Sequence, residues 1–321
     1  MAAESMAFGW EGKRILVVGD VMLDIYRRGR ALRLSPEAPV PIVLNPVDEY
    51  CLGGAANIAK NIAALKAKAI LVGFVGKDEE GLRLRSLAEE GGIDVHFFSA
   101  NDRPTTTKTR IVGLPGHQQV CRIDREETTP LGEECRESIL SSSRSLSQEA
   151  DIVIVSDYRK GVVFPGLVAE IARSGKKVVV DPKGSDVSLY RGAWAIVPNW
   201  GEAEELVGIT DGGNIDWVGK SLCSASGCEW VIITRHGEGA SVYSHDWSEH
   251  IPPRAREVLD TTGAGDTFTA VFALGVVAGM GGSEAAKLAN RAAGMVVGKR
   301  GTAHVEWEEL ARELGRLSDP I

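Results

Sequence analysis

The chain has 321 residues, 44% of them hydrophobic and 25% charged, which excludes a disordered or collagen-like chain. Its 36 basic and 44 acidic residues leave a net charge of −8, which argues against binding nucleic acid through its phosphates. The 37 glycines follow no three-residue period and point to many tight turns, as short strand–helix connections need.

Ile15–Val18 reads as a buried strand ending in Gly19-Asp20. Val40–Leu44 is a short, proline-flanked segment. Ala55–Lys66 follows as a helix, Ile70–Val75 as a strand and Glu79–Glu90 as a helix. Thr105–Val112 and Gln118–Asp124 alternate in polarity and are joined by Leu-Pro-Gly-His, the pattern of a β-hairpin. Ile152–Val155, Lys177–Val180, Ala195–Val197 and Val231–Thr234 are further buried strands, with helical stretches at Pro165–Arg173 and Glu202–Leu206 between them. Asp266–Gly279, Ser283–Lys299 and Trp307–Leu317 read as helices. Repeated β-α-β units with continuously apolar strands predict an α/β fold, a mostly parallel sheet covered on both faces. The proline-flanked segment and the hairpin do not fit that rhythm. They predict a small antiparallel β lid formed by about 24–50 and 101–126, inserted in a single domain over 1–321.

The five cysteines, Cys51, Cys121, Cys135, Cys223 and Cys228, are odd in number and lack a Cys-x-x-Cys pair. They read as reduced thiols, not as a disulfide frame or a zinc site. The start, MAAESMAFGWEGKR, has no apolar leader, and Ala270–Met280 is too short to span a bilayer. A soluble, cytoplasmic protein with no membrane partner is expected.

Asp260-Thr-Thr-Gly-Ala-Gly-Asp-Thr267 precedes an apolar helical stretch. Gly263 and Gly265 allow a tight turn, and the backbone N–H groups of Gly263, Ala264 and Gly265 at a helix N-terminus suit an anion. Asp266 in the first turn can accept a proton from a hydroxyl, or simply cap the helix. Gly53-Gly54-Ala-Ala-Asn57 opens an earlier helix, where the glycines let a ligand approach the backbone and Asn57 can bond hydroxyls. Asn199-Trp-Gly-Glu202 can hold metal-bound water, form a capping box, or both. Asp20 and Asp24 follow the first strand and can bond a polyol or shape a turn. Lys108, Arg110, Arg122 and Lys160 are candidate phosphate contacts. Lys108 and Arg110 share a strand face, while the face of Arg122 depends on hairpin register. Gly213–Ser221 imitates a P-loop with one residue too many and reads as a turn and a helix.

The paired signatures at Gly53–Asn57 and Asp260–Thr267 resemble those of the ribokinase-like, or PfkB, sugar kinases, over about Arg14 to Thr302. The resemblance implies a three-layer sandwich with a lid, an ATP-dependent kinase with Asp266 as base, and Mg²⁺ held through water by Asn199 and Glu202. It implies a nucleotide side at Asn199, Glu202, Thr234, Gly237, Gly239 and Asn290, with His236 standing where a glycine is usual. It also implies a potassium-like ion at Asp260 and Thr262, and sugar contacts from Asp24, Gly53, Gly54 and Asn57. Homodimers through the lid are common in that family. Gly19–Asp24, Ser35–Pro41, Val155–Gly161 and Asp181–Lys183 resemble the heptose 7-phosphate kinase branch, whose acceptor is the anomeric hydroxyl of D-glycero-β-D-manno-heptose 7-phosphate. Ending at Ile321, the chain looks like a stand-alone form of that branch. The alternatives are another sugar-phosphate or nucleoside kinase, and a non-catalytic sugar- or nucleotide-binding regulator.

Overall fold

The computed structural model describes residues 9–100, 103–209, 212–253, 260–299, 301 and 303–315. Residues 101, 102, 302, 316 and 317, which the predicted lid, family match and last helix include, lie outside this set.

The chain alternates strands and helices. In order they are β1 (Arg14–Gly19), β2 (Val21–Arg30), β3 (Leu44–Gly54), α1 (Ala55–Ala64), β4 (Lys68–Gly76), α2 (Glu79–Glu90), β5 (Asp94–Ala100), β6 (Thr107–Leu114), β7 (Gln118–Arg125), α3 (Glu133–Glu149), β8 (Ile152–Ser156), α4 (Leu167–Ala172), β9 (Val178–Asp181), β10 (Ala195–Ile196), α5 (Trp200–Leu206), α6 (Ile215–Ser226), β11 (Trp230–Thr234), β12 (Ala240–Tyr243), β13 (Ser248–Ile251), α7 (Ala264–Val277), α8 (Gly282–Val296) and α9 (Trp307–Gly315).

Nine strands form one sheet in the order β13-β12-β11-β10-β9-β8-β1-β4-β5. All its pairings are parallel except β11–β12 and β12–β13 at one end. The sequence gives the reason. In β1, Ile15 and Val17 face a core shared with α1, α7 and α8, while Leu16 and Val18 face a second core shared with α3, α4 and α6. All four are fully buried, and each such side chain stabilises the fold by roughly 1.5–3 kcal/mol. This is the three-layer α/β sandwich expected from the sequence.

The second sheet has four strands in the order β3-β2-β6-β7. Its two outer pairings are antiparallel, and β2 meets β6 in parallel. This lid begins at Val21, directly after β1, and its strands extend beyond the predicted boundaries. In the proline-flanked segment Val40–Leu44, residues 40–43 form a loop with one bridge, Leu34 to Pro41, and the strand starts at Leu44. Pro39 and Pro41 have no N–H for a ladder, whereas Pro46 is tolerated because β3 is an edge strand.

Helices α2, α5 and α6 start at side-chain caps. Asp78 accepts from Gly81 N–H at 2.9 Å and starts α2, with Glu79 and Glu80 in its first turn. Asn214 accepts from the N–H groups of Asp216 and Trp217, so the P-loop look-alike is the cap and first turns of α6.

Candidate active site

The site forms where the parallel strands end, the usual place for a ligand in such a sheet. Asp20 follows β1, Asp157 and Tyr158 follow β8, Asp181 ends β9, Asn199 follows β10 and Thr234 ends β11. The N-termini of α1 and α7 face the same place, and these two helices pack together.

Asp266 is the centre of this arrangement. Asn57 Nδ2 donates to its Oδ2 at 2.7 Å, and the Tyr158 hydroxyl donates to its Oδ1 at 2.8 Å. Burial pushes the Asp266 carboxyl up to about 6, although both hydrogen bonds favour its ionised form. Thr267 fixes the two helices by donating to Asn61 Oδ1 at 2.9 Å. Asn57 was expected to use its amide on a ligand. Its nitrogen is on Asp266 instead, and its Oδ1 is buried without a partner among the described residues, leaving one acceptor for a hydroxyl.

Gly263 takes φ 81°, a left-handed conformation that glycine adopts without strain, and turns the chain into α7. The expected anion hole needs one correction. Ala264 N–H donates to the Thr261 carbonyl at 3.2 Å, and is therefore occupied. Among the described residues the N–H groups of Gly263, Gly265 and Asp266 have no backbone acceptor and are open to an anion. Asp260 ties this loop down. Its Oδ1 accepts from Thr262 N–H at 2.9 Å and its Oδ2 from Gly301 N–H at 3.0 Å.

Of the two readings of Asp20, a polyol contact or a turn, its hydrogen bonds are those of the turn. It is 1% exposed, and its carboxyl accepts three backbone N–H groups, from Tyr158 at 2.8 Å, Lys160 at 2.9 Å and Val162 at 3.0 Å. Asp20 therefore builds the turn that carries Tyr158 to Asp266. Gly53 and Gly54 also have a packing role. A Cβ at Gly53 would lie 2.8 Å from Met22 and 2.9 Å from the Asp24 carboxylate, and one at Gly54 would lie 2.5 Å from the Asp20 carbonyl. The glycines let the end of β3 lie close against β2 and the turn after β1.

The lid cations are now placed. Strand register puts Asp24, Lys108 and Asp124 in one row, and Tyr26, Arg110 and Arg122 in the next row on the same face. Arg122 therefore shares the face of Lys108 and Arg110. Arg110 Nη1 lies 2.7 Å from Asp24 Oδ1, Arg122 grips Asp124, and Lys160 Nζ lies 3.0 Å from Glu126.

On the other side of Asp266 lies a cavity of about 320 Å³ lined in part by Asn199, Thr234, Gly237, Gly239, Gly265 and Asn290. Five predicted nucleotide-side residues thus converge there, beside the anion hole. The volume lies in the range of small-molecule sites. A Cβ on Gly237 or Gly265 would meet no atom within 4 Å, so both backbones stand open for a phosphate to approach. Asn290 Nδ2 donates to the Pro252 carbonyl at 2.9 Å, which braces the cavity wall.

Asn199 and Glu202 make the predicted capping box, and Lys183 Nζ lies 2.6 Å from Glu202 Oε1. Burial and the nearby charges of Glu202 and Asp266 push the Asp181 carboxyl well above its ordinary range. A divalent cation would relieve that crowding. Among the described residues no three candidate ligands converge closely enough to hold a metal directly, so an ion here would be held through water and phosphate oxygens.

Sequence reasoning placed Asp157, Tyr158, Asp181 and Lys183 in segments that carry the family resemblance but gave them no role, and it missed Tyr190. Tyr190 Oη lies 2.8 Å from Asp157 Oδ2 and accepts from Lys183 N–H at 2.9 Å, which links the turns after β8 and β9. The available signal was position, since Asp157, Tyr158 and Asp181 sit at the carboxyl ends of parallel strands. Removing the Tyr158 hydroxyl tests its part. Tyr158→Phe should cut kcat roughly 10-fold and raise the acid limb of the pH profile, because the lost bond favours the carboxylate. Steady-state kinetics across pH reads both effects.

A buried acid beside free backbone N–H groups can take a proton from a hydroxyl while those groups steady a phosphoryl group, which is kinase chemistry. The comparisons agree. The profile of the pfkB family carbohydrate kinases matches residues 13–309, and the chain belongs to that family. It is 42% identical over 310 residues to the bifunctional protein HldE of Citrifermentans bemidjiense, covering 94% of this chain and 63% of that protein. It is also 42% identical over 316 residues to HldE of Mesorhizobium japonicum, covering 96% and 63%. The chain thus spans less than two thirds of the length of these relatives. Phosphofructokinase-2 from Escherichia coli, solved in complex with potassium, has the same fold, with a TM-score of 0.80 at 17% identity over 96% of this chain and 100% of that one. No helix among the described residues is long and apolar enough to cross a membrane.

Proposed function

We propose that this carbohydrate kinase transfers the γ-phosphoryl group of ATP to the anomeric hydroxyl of D-glycero-β-D-manno-heptose 7-phosphate, giving the 1,7-bisphosphate and ADP. The observation that carries the chemistry is Asp266, held at both oxygens beside the open N–H groups of α7. The heptose assignment rests on the resemblance of Gly19–Asp24, Ser35–Pro41, Val155–Gly161 and Asp181–Lys183 to that branch of the family.

Bound ATP with Mg²⁺ supplies the phosphoryl group and neutralises charge on its phosphates. Asp266 takes the proton of the acceptor hydroxyl. The N–H groups of Gly263, Gly265 and Asp266 stabilise charge on the transferring group. Asn57 Oδ1 and Asp24 orient the sugar, and the lid excludes water. Thr234, Gly237, Gly239 and Asn290 shape the nucleotide side. Asn199, Glu202 and Asp181 would hold Mg²⁺ through water, where it would offset negative charge on the phosphates. A potassium-like ion at Asp260 and Thr262 would brace the anion hole.

Because Asp266 must be ionised to accept a proton, activity should be full above about pH 7 and fall as pH drops through about 6. A pH profile of kcat/KM checks this, and a flat profile down to pH 5 would count against Asp266 as base.

We also infer a homodimer through the lid. Leu34, Val40, Val47 and Ile123 are exposed on it, Val47 at 71%, and β3 and β7 are open edges that a second copy would cover. All five cysteines are free thiols, which suits the cytoplasm. Phosphorus NMR of the product tests the site of transfer. A new anomeric phosphate with the 7-phosphate retained is expected, and phosphate on any other oxygen would overturn the proposal.

A further inference from the structure

Lys108 differs from the other cations around the lid. Arg110 is paired with Asp24, Arg122 with Asp124 and Lys160 with Glu126. Among the described residues no carboxylate lies within ion-pair distance of the Lys108 ammonium, although the side chain is largely buried and its proton affinity is lowered by that burial. Asp24, Asp124 and Glu126 act on it only from beyond ion-pair distance, and burial outweighs them, so its position needs a reason.

Its surroundings supply one. Lys108 Nζ stands 5.6 Å from the centre of the Tyr158 ring, and the hydroxyl of that ring is 2.8 Å from Asp266. The charge of Lys108 reaches Asp266 and favours its carboxylate. The lid register explains the placement. Asp24, Lys108 and Asp124 form one row, and of these Asp24 and Lys108 act on Asp266. Arg110 and Arg122 start one row farther along, about 7 Å away along the strand, and reach back only to neutralise Asp24 and Asp124. A phosphate already carried by the acceptor, remote from the reacting hydroxyl, would meet the arginine row. An anion at Lys108 would lie beside the reacting oxygen.

We propose that Lys108 is a catalytic cation that contacts the phosphoryl group in transfer, and not a holder of the acceptor's own phosphate. This rests on the sugar-phosphate kinase reading. In the step, the acceptor oxygen gives its proton to Asp266 and forms a new bond to the γ-phosphorus. The bond from that phosphorus to ADP breaks, and ADP leaves with the electron pair. Lys108 adds a point charge where the transferring oxygens gather negative charge, opposite the N–H groups of α7.

Lys108→Met keeps the apolar stem and removes the charge, and Lys108→Arg restores a charge. With the heptose phosphate, Lys108→Met should lower kcat about 10²- to 10³-fold with KM changed less than about 3-fold, and Lys108→Arg should recover part of the loss. Calorimetry gives a readout that needs no sugar. ADP alone should bind the variant as it binds the wild type, which also shows that the variant is folded. ADP with aluminium fluoride, a mimic of the transferring phosphoryl group, should bind at least about 10-fold more weakly. A rise in KM at unchanged kcat, or equal binding of the fluoride complex by variant and wild type, overturns the proposal. A wild type that turns over no sugar phosphate would instead refute the substrate reading, and the fluoride measurement would still decide the role of Lys108.

Discussion

Asp266→Asn should lower kcat by about 10²- to 10⁴-fold while leaving ATP affinity near the wild-type value. The amide keeps the size of the side chain but cannot take a proton from the acceptor hydroxyl. Asp266 lies on the sugar side of the anion hole, and the cavity lining assigned to the nucleotide passes through Ala264, Gly265 and Phe268 without it. Calorimetric titration with ATP, set beside single-turnover rates, separates the two effects. A variant within about tenfold of the wild-type rate would remove Asp266 from the chemistry. The neutral amide also ends the charge coupling to Asp24 and Lys108, so a small change in sugar affinity is compatible with the account.

Asp20→Ala should be the most damaging change away from the reacting atoms. Three backbone N–H groups, of Tyr158, Lys160 and Val162, would lose their acceptor inside the protein. Each unsatisfied buried donor costs about 1–3 kcal/mol. Burial already disfavours the Asp20 carboxylate, which offsets part of the loss. A net destabilisation of about 3 kcal/mol or more is expected, read as a lower urea midpoint. The surviving folded fraction should also be slow, because the Tyr158 turn would no longer place its hydroxyl on Asp266. Stability within about 1 kcal/mol of wild type, with a normal rate, would show that the turn holds without Asp20.

The sequence made the sheet legible where strands are continuously apolar. Ile15–Val18 and Ile152–Val155 are buried on both faces, and no solvent-facing residue interrupts them. Helix α2 was legible to its ends because Asp78 caps it and two glutamates follow. Helix α3 was not. Its buried residues are Ile139, Ser143 and Ser147, so its inner face carries almost no apolar signal. Strand β3 was hidden for a related reason, since Leu44–Glu49 lies mostly exposed on a sheet edge and contains Pro46.

The same division holds at the site. Asp266, Asn57 and the Asn199/Glu202 pair announce themselves by spacing within short motifs. Tyr158 reaches Asp266 across 108 positions of sequence, and no local pattern encodes that contact. The two readings of Asp20 could not be separated from sequence because its partners lie 138 to 142 residues away. Two aspartates after a strand look alike until the turn after β8 folds onto one of them. The lid cations needed register, which one residue of slippage would invert.

The most direct test is ADP release by the purified protein with Mg·ATP and potassium, using heptose 7-phosphate, fructose 6-phosphate, fructose 1-phosphate, ribose and adenosine as acceptors. The account predicts turnover on heptose 7-phosphate that far exceeds the others and disappears in Asp266→Asn. Preferred turnover on another acceptor, or turnover that survives Asp266→Asn, would contradict it.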